Sequence, residues 1–519
     1  MQKVIVLELS PEDASYETLY KPVIIKRLGV TTERIRHIQI IRKSIDSRRR
    51  KVKVNIAFRV FVDEIPSTDT VWQPAFQNVE KSSEVLVIGS GPAGLFAALR
   101  LLELGIRPVI IERGKPVEDR INDIKLLELD NVLNPESNYC FGEGGAGTFS
   151  DGKIYTRAKK RGDHYKVLEI LRFHGADESI LYEAHPHIGS DRLPLIVANI
   201  RKTILDAGGI MHFNTKVSDF IMKRDRLTGI VTSEKEKLSA AATILATGHS
   251  ARDIYYLLSD RGISLEAKPF AMGVRVEHPQ QLIDNIQYHG QKSAYLPAAT
   301  YNIVQQISGR GVYSFCMCPG GQIVPATTSS EEIVVNGMSN AMRDSPYANA
   351  GLVVQIFSSD YKEFESYKGL AALRLQENFE RNACEASGHP QVAPAQRITD
   401  FIRNKSSSTL PENSYVPGVV SSPMHRWMPD FIVKSLQAGF REFDKRMRGF
   451  VSENAIMVGV ESRTSSPVRI PRNPDTGEHM HIRGLFPCGE GSGYAGGIVS
   501  SAVDGEHAAD KCQKYLENI

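Results

Sequence analysis

Two cysteines are the residues of this sequence whose types and spacing most directly suggest chemistry. Cys316 and Cys318 are separated by one residue and lie just before Pro319-Gly320-Gly321. Two thiols at this spacing could act as a redox pair, or they could simply line a pocket. On a regular strand their side chains would share one face, and C-x-C spacing is poor for an unstrained disulfide. Both interpretations stay open from the residues alone.

A second cluster, Glu461 to Arg469, combines two arginines with a run of hydroxyl side chains. Arg463 and Arg469 could each bind a carboxylate or phosphate through two parallel hydrogen bonds, which would select an anionic substrate. The alternative is an arginine–glutamate pair that holds a domain interface. The candidate catalytic residues from these two segments are Arg463, Ser466, Arg469, Cys316 and Cys318.

A glycine-rich turn between an apolar strand and a helix is the clearest signal of what positions these residues. Val85 to Ile88 is a short apolar strand, and Gly89-Ser90-Gly91-Pro92-Ala93-Gly94 follows at once. A helix over 95–104 and a second apolar strand, 109–111, complete the unit, and Glu112 ends it. This is G-x-G-x-x-G in the strand–turn–helix–strand context that a dinucleotide site requires.

Each part of this unit has a physical role in binding a dinucleotide. Gly89 permits the tight turn, Gly91 lets the backbone approach a pyrophosphate, and Gly94 lets the helix pack close to the strand. The N–H groups at the start of the helix favour the phosphates. Glu112 would accept hydrogen bonds from the ribose hydroxyls and would repel a 2′-phosphate, so NADP is disfavoured here.

Three further segments resemble those of flavoproteins and favour FAD over NAD. Residues 142–152 contain five glycines, so backbone amides could approach a flat ligand. Residues 242–253 combine an apolar strand with Ala-Thr-Gly, and residues 484–498 return a strand and a helix start to the cofactor. Non-covalent FAD is therefore predicted, with NAD(P)H left open as a transient electron donor. The predicted cofactor-binding residues are Gly89, Gly91, Pro92, Ala93, Gly94, Glu112, Arg113, Gly144, Gly145, Ala146, Gly147, Ser150, Lys153, Val217, Ala246, Thr247, Gly248, Gly489, Glu490, Gly496, Gly497 and Ile498.

The chain resembles an uncharacterised bacterial family of FAD-utilising dehydrogenases. That family is similar to the glutathione-reductase-type, two-dinucleotide-binding FAD superfamily. The resemblance covers nearly the whole chain and implies FAD and a flavin-oxidoreductase fold, but it leaves the substrate open. It is carried by the strings GSGPAGLFAAL, FGEGGAGTFSDGK, ATGHSARD, SFCMCPGG, GVESRTSSPVRIPR and GEGSGYAGGIVSSAVDG, and at the N-terminus by RKSIDSRRRKVKVN.

The expected fold class is α/β: a split Rossmann-type FAD-binding domain with an inserted α+β substrate domain and a small N-terminal α+β domain. The predicted division is 1–80 for the small domain and its linker, 81–264 and 451–519 for the two parts of the FAD-binding domain, and 265–450 for the insertion. Periodicity predicts strands at 4–9, 38–41, 52–62, 270–277 and 333–337, and helices at 11–28, 352–381 and 428–446.

The composition and net charge of the chain limit the classes of function that it can have. A net charge of +3 over 519 residues does not argue for nucleic acid or membrane as a partner. Six scattered cysteines do not make a disulfide framework, and His185-Pro186-His187 lacks the partner spacing of a metal site, so no metal is predicted. No apolar run approaches the ~20 residues that cross a bilayer, and the first ten residues do not form a signal peptide, so a cytoplasmic location is expected.

Three functional hypotheses remain from the sequence. The first is a FAD-dependent dehydrogenase or reductase of a small, anionic molecule. The second is a flavoprotein acting on RNA of the tRNA-modifying type, guided by the basic turn at Arg48, Arg49 and Arg50. The third is a non-catalytic FAD-binding protein. The oligomeric state stays open.

Overall fold

The computed structural model describes residues 1–66, 72–155 and 162–519. Part of the predicted linker, residues 67–71, therefore lies outside the described residues. The chain forms a small N-terminal sheet, a parallel sheet covered by helices, and a large mixed sheet with helices beside it. The predicted α/β class is confirmed.

The N-terminal unit is a three-stranded antiparallel sheet covered by one helix. Val54, Ile56, Phe58 and Val60 alternate along the central strand and are buried, as the period of two in a strand requires. They pack with Ile24 of the helix. The elements are β1 (Gln2–Leu9), α1 (Glu17–Leu28), β2 (Ile35–Asp46) and β3 (Lys53–Val62), with the sheet order β1-β3-β2.

The parallel sheet joins strands from two distant parts of the chain. Its first two strands are short and almost wholly apolar, as expected of strands buried on both faces. The elements up to residue 260 are β4 (Glu84–Ile88), α2 (Pro92–Glu103), β5 (Arg107–Ile111), α3 (Val117–Asp130), α4 (His164–Phe173), α5 (Leu193–Asp206), β6 (Ile210–His212), β7 (Val217–Lys223), β8 (Arg226–Thr232), β9 (Lys237–Ser239), β10 (Thr243–Leu245) and α6 (Arg252–Asp260).

The remaining elements form the large mixed sheet and return the chain to the parallel one. They are β11 (Glu266–Ala267), β12 (Ala271–Pro279), α7 (Gln280–Gln287), β13 (Val304–Ile307), β14 (Arg310–Cys318), β15 (Gly321–Pro325), β16 (Val335–Ser339), β17 (Tyr347–Gln355), α8 (Ala371–Ser387), β18 (Ala393–Arg397), α9 (Ile398–Ile402), β19 (Val419–Ser421), α10 (Met424–Trp427), α11 (Asp430–Arg446), β20 (Ile456–Glu461), β21 (Val468–Arg469), β22 (Leu485–Pro487) and α12 (Ile498–Leu516).

Sheet order shows how the two ends of the dinucleotide unit meet. The parallel sheet has the order β22-β10-β4-β5-β6, so the C-terminal strand β22 lies beside β10. The seven-stranded sheet has the order β13-β14-β17-β12-β20-β18-β19. Helix α12 packs against α2, with the Gly505 position directly over the Ala93 backbone. The carboxyl ends of β4, β5 and β10 therefore open toward the seven-stranded sheet, where a ligand cleft is expected.

Three element predictions were wrong. The predicted helix over 352–381 is instead the end of β17, a 3₁₀ segment (Ser358–Leu370) and only then α8. Helix α1 begins at Glu17 rather than at residue 11, because residues 11–15 form turns and the Ser10 hydroxyl accepts the Asp13 N–H. Strand β20, expected in the C-terminal part of the FAD-binding domain, pairs with β12 and β18 of the seven-stranded sheet. An apolar strand does not reveal from its own sequence which sheet it joins.

Within the part of the chain that the structure describes, no helix has both the length and the apolar character needed to span a bilayer.

The contact between α12 and α2 generates a stability prediction. A Cβ added at Gly505 would lie 2.0 Å from the Ala93 carbonyl oxygen, so the two helices would have to separate. We expect Gly505→Ala to destabilise the protein by about 1–3 kcal/mol, measured as a lower midpoint of thermal unfolding. His507→Ala, on the exposed side of the same helix, is the matched control. An unchanged midpoint in Gly505→Ala would contradict the helix packing described.

Candidate functional site

A cleft of about 950 Å³ opens between the carboxyl ends of the parallel strands and the seven-stranded sheet. Most of the predicted cofactor-binding residues line it, together with residues of the insertion. The lining includes Gly89, Gly91, Pro92, Ala93, Glu112, Arg113, Gly145, Ala146, Gly147, Ser150, Lys153, Val217, Ala246, Thr247, Gly248, Glu490, Gly496, Gly497 and Ile498.

Three predicted cofactor-binding glycines do not line the cleft but shape the backbone behind it. A Cβ at Gly94 would lie 1.9 Å from the Gly89 carbonyl oxygen, and one at Gly489 would lie 2.7 Å from the Cβ of Ala93. A Cβ at Gly144 would lie 1.9 Å from the Thr148 hydroxyl. These glycines allow close approach of protein to protein, so their role is indirect.

Gly91 and Gly496 have a different environment. A Cβ at Gly91 would meet nothing closer than the Cα of Gly145 at 3.9 Å, and a Cβ at Gly496 would meet nothing within 4 Å. Gly91 has a φ of −70°, which any residue adopts. Neither protein packing nor, at Gly91, the backbone conformation requires glycine, and both residues face the cleft. The space is therefore suited to a ligand that approaches the backbone closely, as a pyrophosphate does.

Two helices begin at this cleft without a side-chain cap. Helix α2 follows Gly91 and helix α12 follows Gly497, and neither residue caps the helix through a side chain. Free N–H groups and the positive end of each helix dipole therefore point toward the cleft, where they favour negative charge.

Glu112 holds the cleft together through its carboxylate. One oxygen accepts the backbone N–H (2.9 Å) and the hydroxyl (2.7 Å) of Ser90. The other accepts the N–H groups of Gly114 (2.9 Å) and Gly142 (3.1 Å). Both oxygens thus already have two protein donors, and a ribose contact at Glu112 stays a prediction.

Arg113, Ser150 and Lys153 line the cleft but also have protein partners. The Arg113 guanidinium bonds to Asp253 and lies over the Phe141 ring at 4.4 Å. The Ser150 hydroxyl donates to the Gly147 carbonyl at 2.7 Å. The Lys153 ammonium lies 2.8 Å from Asp151 and close to two sulfurs, as described below.

Two candidate catalytic residues take structural roles. The Arg463 guanidinium, 5% exposed, pairs with Glu332 at 2.6 Å and Glu380 at 3.2 Å, so the predicted free anion-binding arginine is instead the alternative arginine–glutamate pair. Ser466 is buried, does not line the cleft, and donates its hydroxyl to the Val468 carbonyl at 2.6 Å. The Ser466 hydroxyl therefore closes a local turn outside the cleft lining, and a catalytic role for it stays a prediction.

Arg469, Cys316 and Cys318 remain available for chemistry. Arg469 and Cys316 line the cleft, whereas Cys318 lies buried directly behind Cys316. The Arg469 side chain lies over the Tyr494 ring at 5.4 Å, and its Nε atom is buried with no hydrogen-bond partner among the described residues.

Sequence reasoning missed Lys268, which also lines the cleft. The two-stranded ribbon β11–β21 places it beside Arg469: Glu266 pairs with Arg469, Ala267 with Val468, and the Lys268 N–H donates to Pro467 at 2.8 Å. In residues 1–66, 72–155 and 162–519 neither cation has an acidic side chain within ion-pair distance. A single lysine after a two-residue strand carries no motif, so no sequence signal could have found it.

Two titratable groups at the cleft lie close to each other. His249 Nε2 is 4.0 Å from Glu490 Oε1. Burial, with the charges of Arg463 and Arg252, lowers the pKa of His249 to about 3, so the imidazole is neutral at physiological pH. Burial raises the pKa of Glu490 to about 7, and Lys268 only partly opposes this. Glu490 can therefore hold or release a proton near neutrality.

No metal-binding group of three His, Cys, Asp or Glu side chains occurs in the portion of the chain that the structure describes.

Family models match three parts of the chain. Residues 82–120 match a FAD binding domain, and residues 269–464 match the description "FAD-dependent protein, C-terminal domain-like". Residues 1–61 match a domain of unknown function. The FAD match covers β4, the glycine turn and α2, which form the cleft described above, so the cofactor is FAD and the protein is a flavoprotein of the oxidoreductase or monooxygenase-like class.

Two curated proteins are similar to this chain in sequence, and two solved structures align with it at low sequence identity. An uncharacterised protein of Clostridium beijerinckii is 39% identical over 512 residues, covering 94% of this chain and 95% of that protein. A thiamine thiazole synthase of Aeropyrum pernix is 26% identical over 219 residues, covering 39% of this chain and 68% of that protein. Among solved structures, the glycerol-3-phosphate dehydrogenase of Bacillus halodurans complexed with FAD aligns with a TM-score of 0.38 at 11% identity, covering 85% of this chain and 66% of that one. A flavin-dependent brominase aligns with a TM-score of 0.39 at 13% identity, covering 84% and 80%.

The open space at Gly91 generates a cofactor-binding prediction. The protein can accommodate a side chain there but the ligand cannot, so Gly91→Val should fold normally and bind FAD at least about 100-fold more weakly. Flavin absorbance of the purified protein and FAD titration measure the loss. Gly94→Val is the contrasting variant, because its clash with Gly89 should impair folding as well. Yellow Gly91→Val protein with unchanged FAD affinity would contradict the assignment of this cleft.

The raised pKa of Glu490 generates a pH prediction. A carboxyl whose pKa rises from 4.5 to about 7 on folding favours the folded state below pH 4.5, and this contribution is lost as the pH rises through 7. Glu490→Gln should therefore stabilise FAD-free protein more at pH 8 than at pH 5, by on the order of 1 kcal/mol. Thermal unfolding at both pH values, with the exposed Glu453→Gln as control, measures the difference. Equal effects of Glu490→Gln at both pH values would count against a buried neutral Glu490.

Proposed function

We propose that this chain, which belongs to the same family as the uncharacterised Clostridium beijerinckii protein, is a FAD-dependent dehydrogenase or reductase of a small anionic molecule. We further infer membership of the glutathione-reductase-type FAD superfamily, which the glycine turn, the terminal Glu112 and the C-terminal return of the chain to the cleft support.

The unpaired cations Lys268 and Arg469 are the observation that carries the anionic substrate. Arg469 lies on β21 and Lys268 directly follows the paired strand β11 at the cleft wall. Among the described residues neither has an acidic side chain within ion-pair distance, although the charge of Glu490 acts on Lys268 from farther away. Burial first, and then the charge of Arg469, lower the pKa of Lys268, and the charge of Glu490 opposes this only in part. A positive charge on Lys268 is therefore costly in this partly dry site. A carboxylate or phosphate placed between them would remove that cost.

The geometry of Arg469 suits a planar or tetrahedral anion. Its Nε–H is buried and unpartnered among the described residues, and the Tyr494 ring supports the guanidinium from one side. A guanidinium oriented in this way offers parallel N–H donors to two oxygens, whereas the Lys268 ammonium supplies a point charge. Together the two side chains would fix both the position and the orientation of a small substrate.

Proton transfer accompanies the removal or addition of a hydride at most carbon substrates, and the cleft holds a group suited to it. Glu490 has a pKa of about 7 and faces the cleft, while the neutral His249 beside it can accept a hydrogen bond. FAD supplies the two-electron chemistry when bound. If the substrate is reduced rather than oxidised, NADH or NADPH is the expected transient electron donor.

The anion site generates the test of this function. Anaerobic spectra during titration with NADH, NADPH and small carboxylates or phosphate esters should identify a compound that bleaches the flavin. Lys268→Ala and Arg469→Ala should then require about 10–100-fold more of an anionic substrate, since each removes one charge-assisted contact, while FAD stays bound.

Lys292→Ala, an exposed lysine outside the cleft lining, is the matched control, and Lys268→Arg should restore part of the affinity. Reduction by an uncharged metabolite with no response to either variant would refute the anionic substrate. RNA that co-purifies and is lost on neutralising Arg48, Arg49 and Arg50 would instead favour an RNA-directed enzyme.

A further inference from the structure

The chain leaves regular strand geometry at Cys316. The pairing of β14 with β17 shifts between Phe315 and Cys318, so that three steps along β14 face the two steps from Gly351 to Asn349. Cys316 has a φ of 45°, in the left-handed region. This is a β-bulge, which re-aims side chains and often occurs beside active sites. The expectation that C-x-C lies on a regular strand is therefore wrong here.

The bulge brings both thiols around one ammonium group. Lys153 Nζ lies 4.0 Å from the Cys316 sulfur and 3.7 Å from the Cys318 sulfur. Arg275 adds a second cation, with Nη2 3.3 Å from the Cys318 sulfur and 2.7 Å from the Cys316 carbonyl. The Cys318 thiol donates a hydrogen bond to the Cys316 carbonyl at 3.3 Å, and the two thiols lie close enough for each to shift the pKa of the other.

Both cations are fixed by buried acids. Asp151 lies 2.8 Å from Lys153, and Glu461 lies 3.1 Å from Arg275. The hydrogen bond from Cys318, followed by the charges of Lys153 and Arg275, holds the pKa of Cys316 well below its usual range. The same hydrogen bond and burial raise the pKa of Cys318. Among the states of the pair that hold one proton, these opposite shifts favour the one with the proton on Cys318 and the negative charge on Cys316.

The position of the pair connects it to the cofactor. Cys316 lines the FAD cleft, whereas Cys318 lies behind it and is fully buried. The charge of Cys316 contributes to the raised pKa of Glu490, so this sulfur and the carboxyl that faces the cofactor are electrostatic neighbours. A thiolate next to a flavin site and in contact with a second thiol is the arrangement that thiol–flavin electron transfer requires.

We propose that Cys316 and Cys318 form a dithiol–disulfide pair that exchanges electrons with the bound FAD. From the state with one proton, formation of the sulfur–sulfur bond releases two electrons and that proton, which together match what oxidised FAD takes up on becoming the reduced anion. Reduction of the disulfide runs the same balance in reverse and needs no further reactant. The inference rests on FAD binding and deepens the proposed function, because it gives the cleft a second two-electron store beside the flavin.

Counting electrons tests the proposal. Air-oxidised holoprotein titrated anaerobically with dithionite should take up four electrons per FAD, two for the flavin and two for the disulfide. Cys316→Ser and Cys318→Ser should each take up two, with FAD still bound. Cys384→Ser, a half-buried cysteine of α8 outside the cleft lining, is the matched control and should still take up four.

A chemical readout on the natural sequence covers the case in which a cysteine variant fails to fold. Oxidised and dithionite-reduced holoprotein are denatured in an alkylating reagent and digested. In the oxidised sample the peptide that contains both cysteines should be unalkylated and two hydrogens lighter, and after reduction it should carry two alkyl groups.

Uptake of two electrons per FAD by the natural sequence, with both cysteines alkylated in the oxidised sample, would overturn the proposal. This outcome is separable from failure of the proposed function, because dithionite acts without the substrate. Flavin reduction by an anionic substrate together with two-electron uptake refutes only the redox pair. Four-electron uptake without any anionic substrate refutes only the substrate class.

Discussion

The carboxylate of Glu112 is the interaction on which the cleft depends. Its four hydrogen bonds connect the glycine turn at Ser90, the chain after β5 at Gly114, and the glycine-rich loop at Gly142. Hydrogen bonds to a charged acceptor contribute about 1.5–3 kcal/mol each, and these four lie in a buried site. The backbone amides that face FAD are thus held in place before the cofactor arrives, so binding does not have to order these loops.

Much of the cofactor site could be predicted from the sequence because its requirements are local. Gly91 was predicted from its strand–turn–helix context, and Ala246 to Gly248 and Gly496 to Ile498 from short segments that resemble those of flavoproteins. All of them line one cleft. The chemistry beyond FAD could not be predicted in this way. Whether Arg463 is free or paired depends on Glu332 and Glu380, which are distant in sequence. Arg463 and Arg469 cannot be told apart from their sequence context, yet among the described residues Arg463 has acidic partners within ion-pair distance and Arg469 has none.

Residues of the insertion, together with Lys153 and Arg469 from the two FAD-binding parts of the chain, supply the features that distinguish this cleft from a generic FAD site. The ribbon β11–β21 places Lys268 and Arg469 together, and the bulge in β14 places two thiols against Lys153 and Arg275. The first arrangement depends on a strand pairing of only two residues and the second on a β-bulge. Neither produces a hydrophobic periodicity that could be recognised in the sequence. The same dinucleotide-binding framework can therefore serve different chemistry, because other parts of the chain can present different side chains to the cleft.

The pairing of β10 with β22 has a consequence for how the protein is made. Thr243 lies beside Leu485, so the parallel sheet acquires its last strand only after synthesis has passed residue 485. By contrast, all strands of the seven-stranded sheet lie between residues 271 and 461. This sheet can therefore form before β22 is available to pair with β10 of the parallel sheet. Gly496, Gly497 and Ile498 also line the cleft, so the cleft is complete only after these residues have been made. A chain truncated before residue 485 would keep the glycine turn at 89–94 and the glycine-rich loop at 142–152. It would lack β22 and the start of α12, and we expect it to be purified without bound FAD.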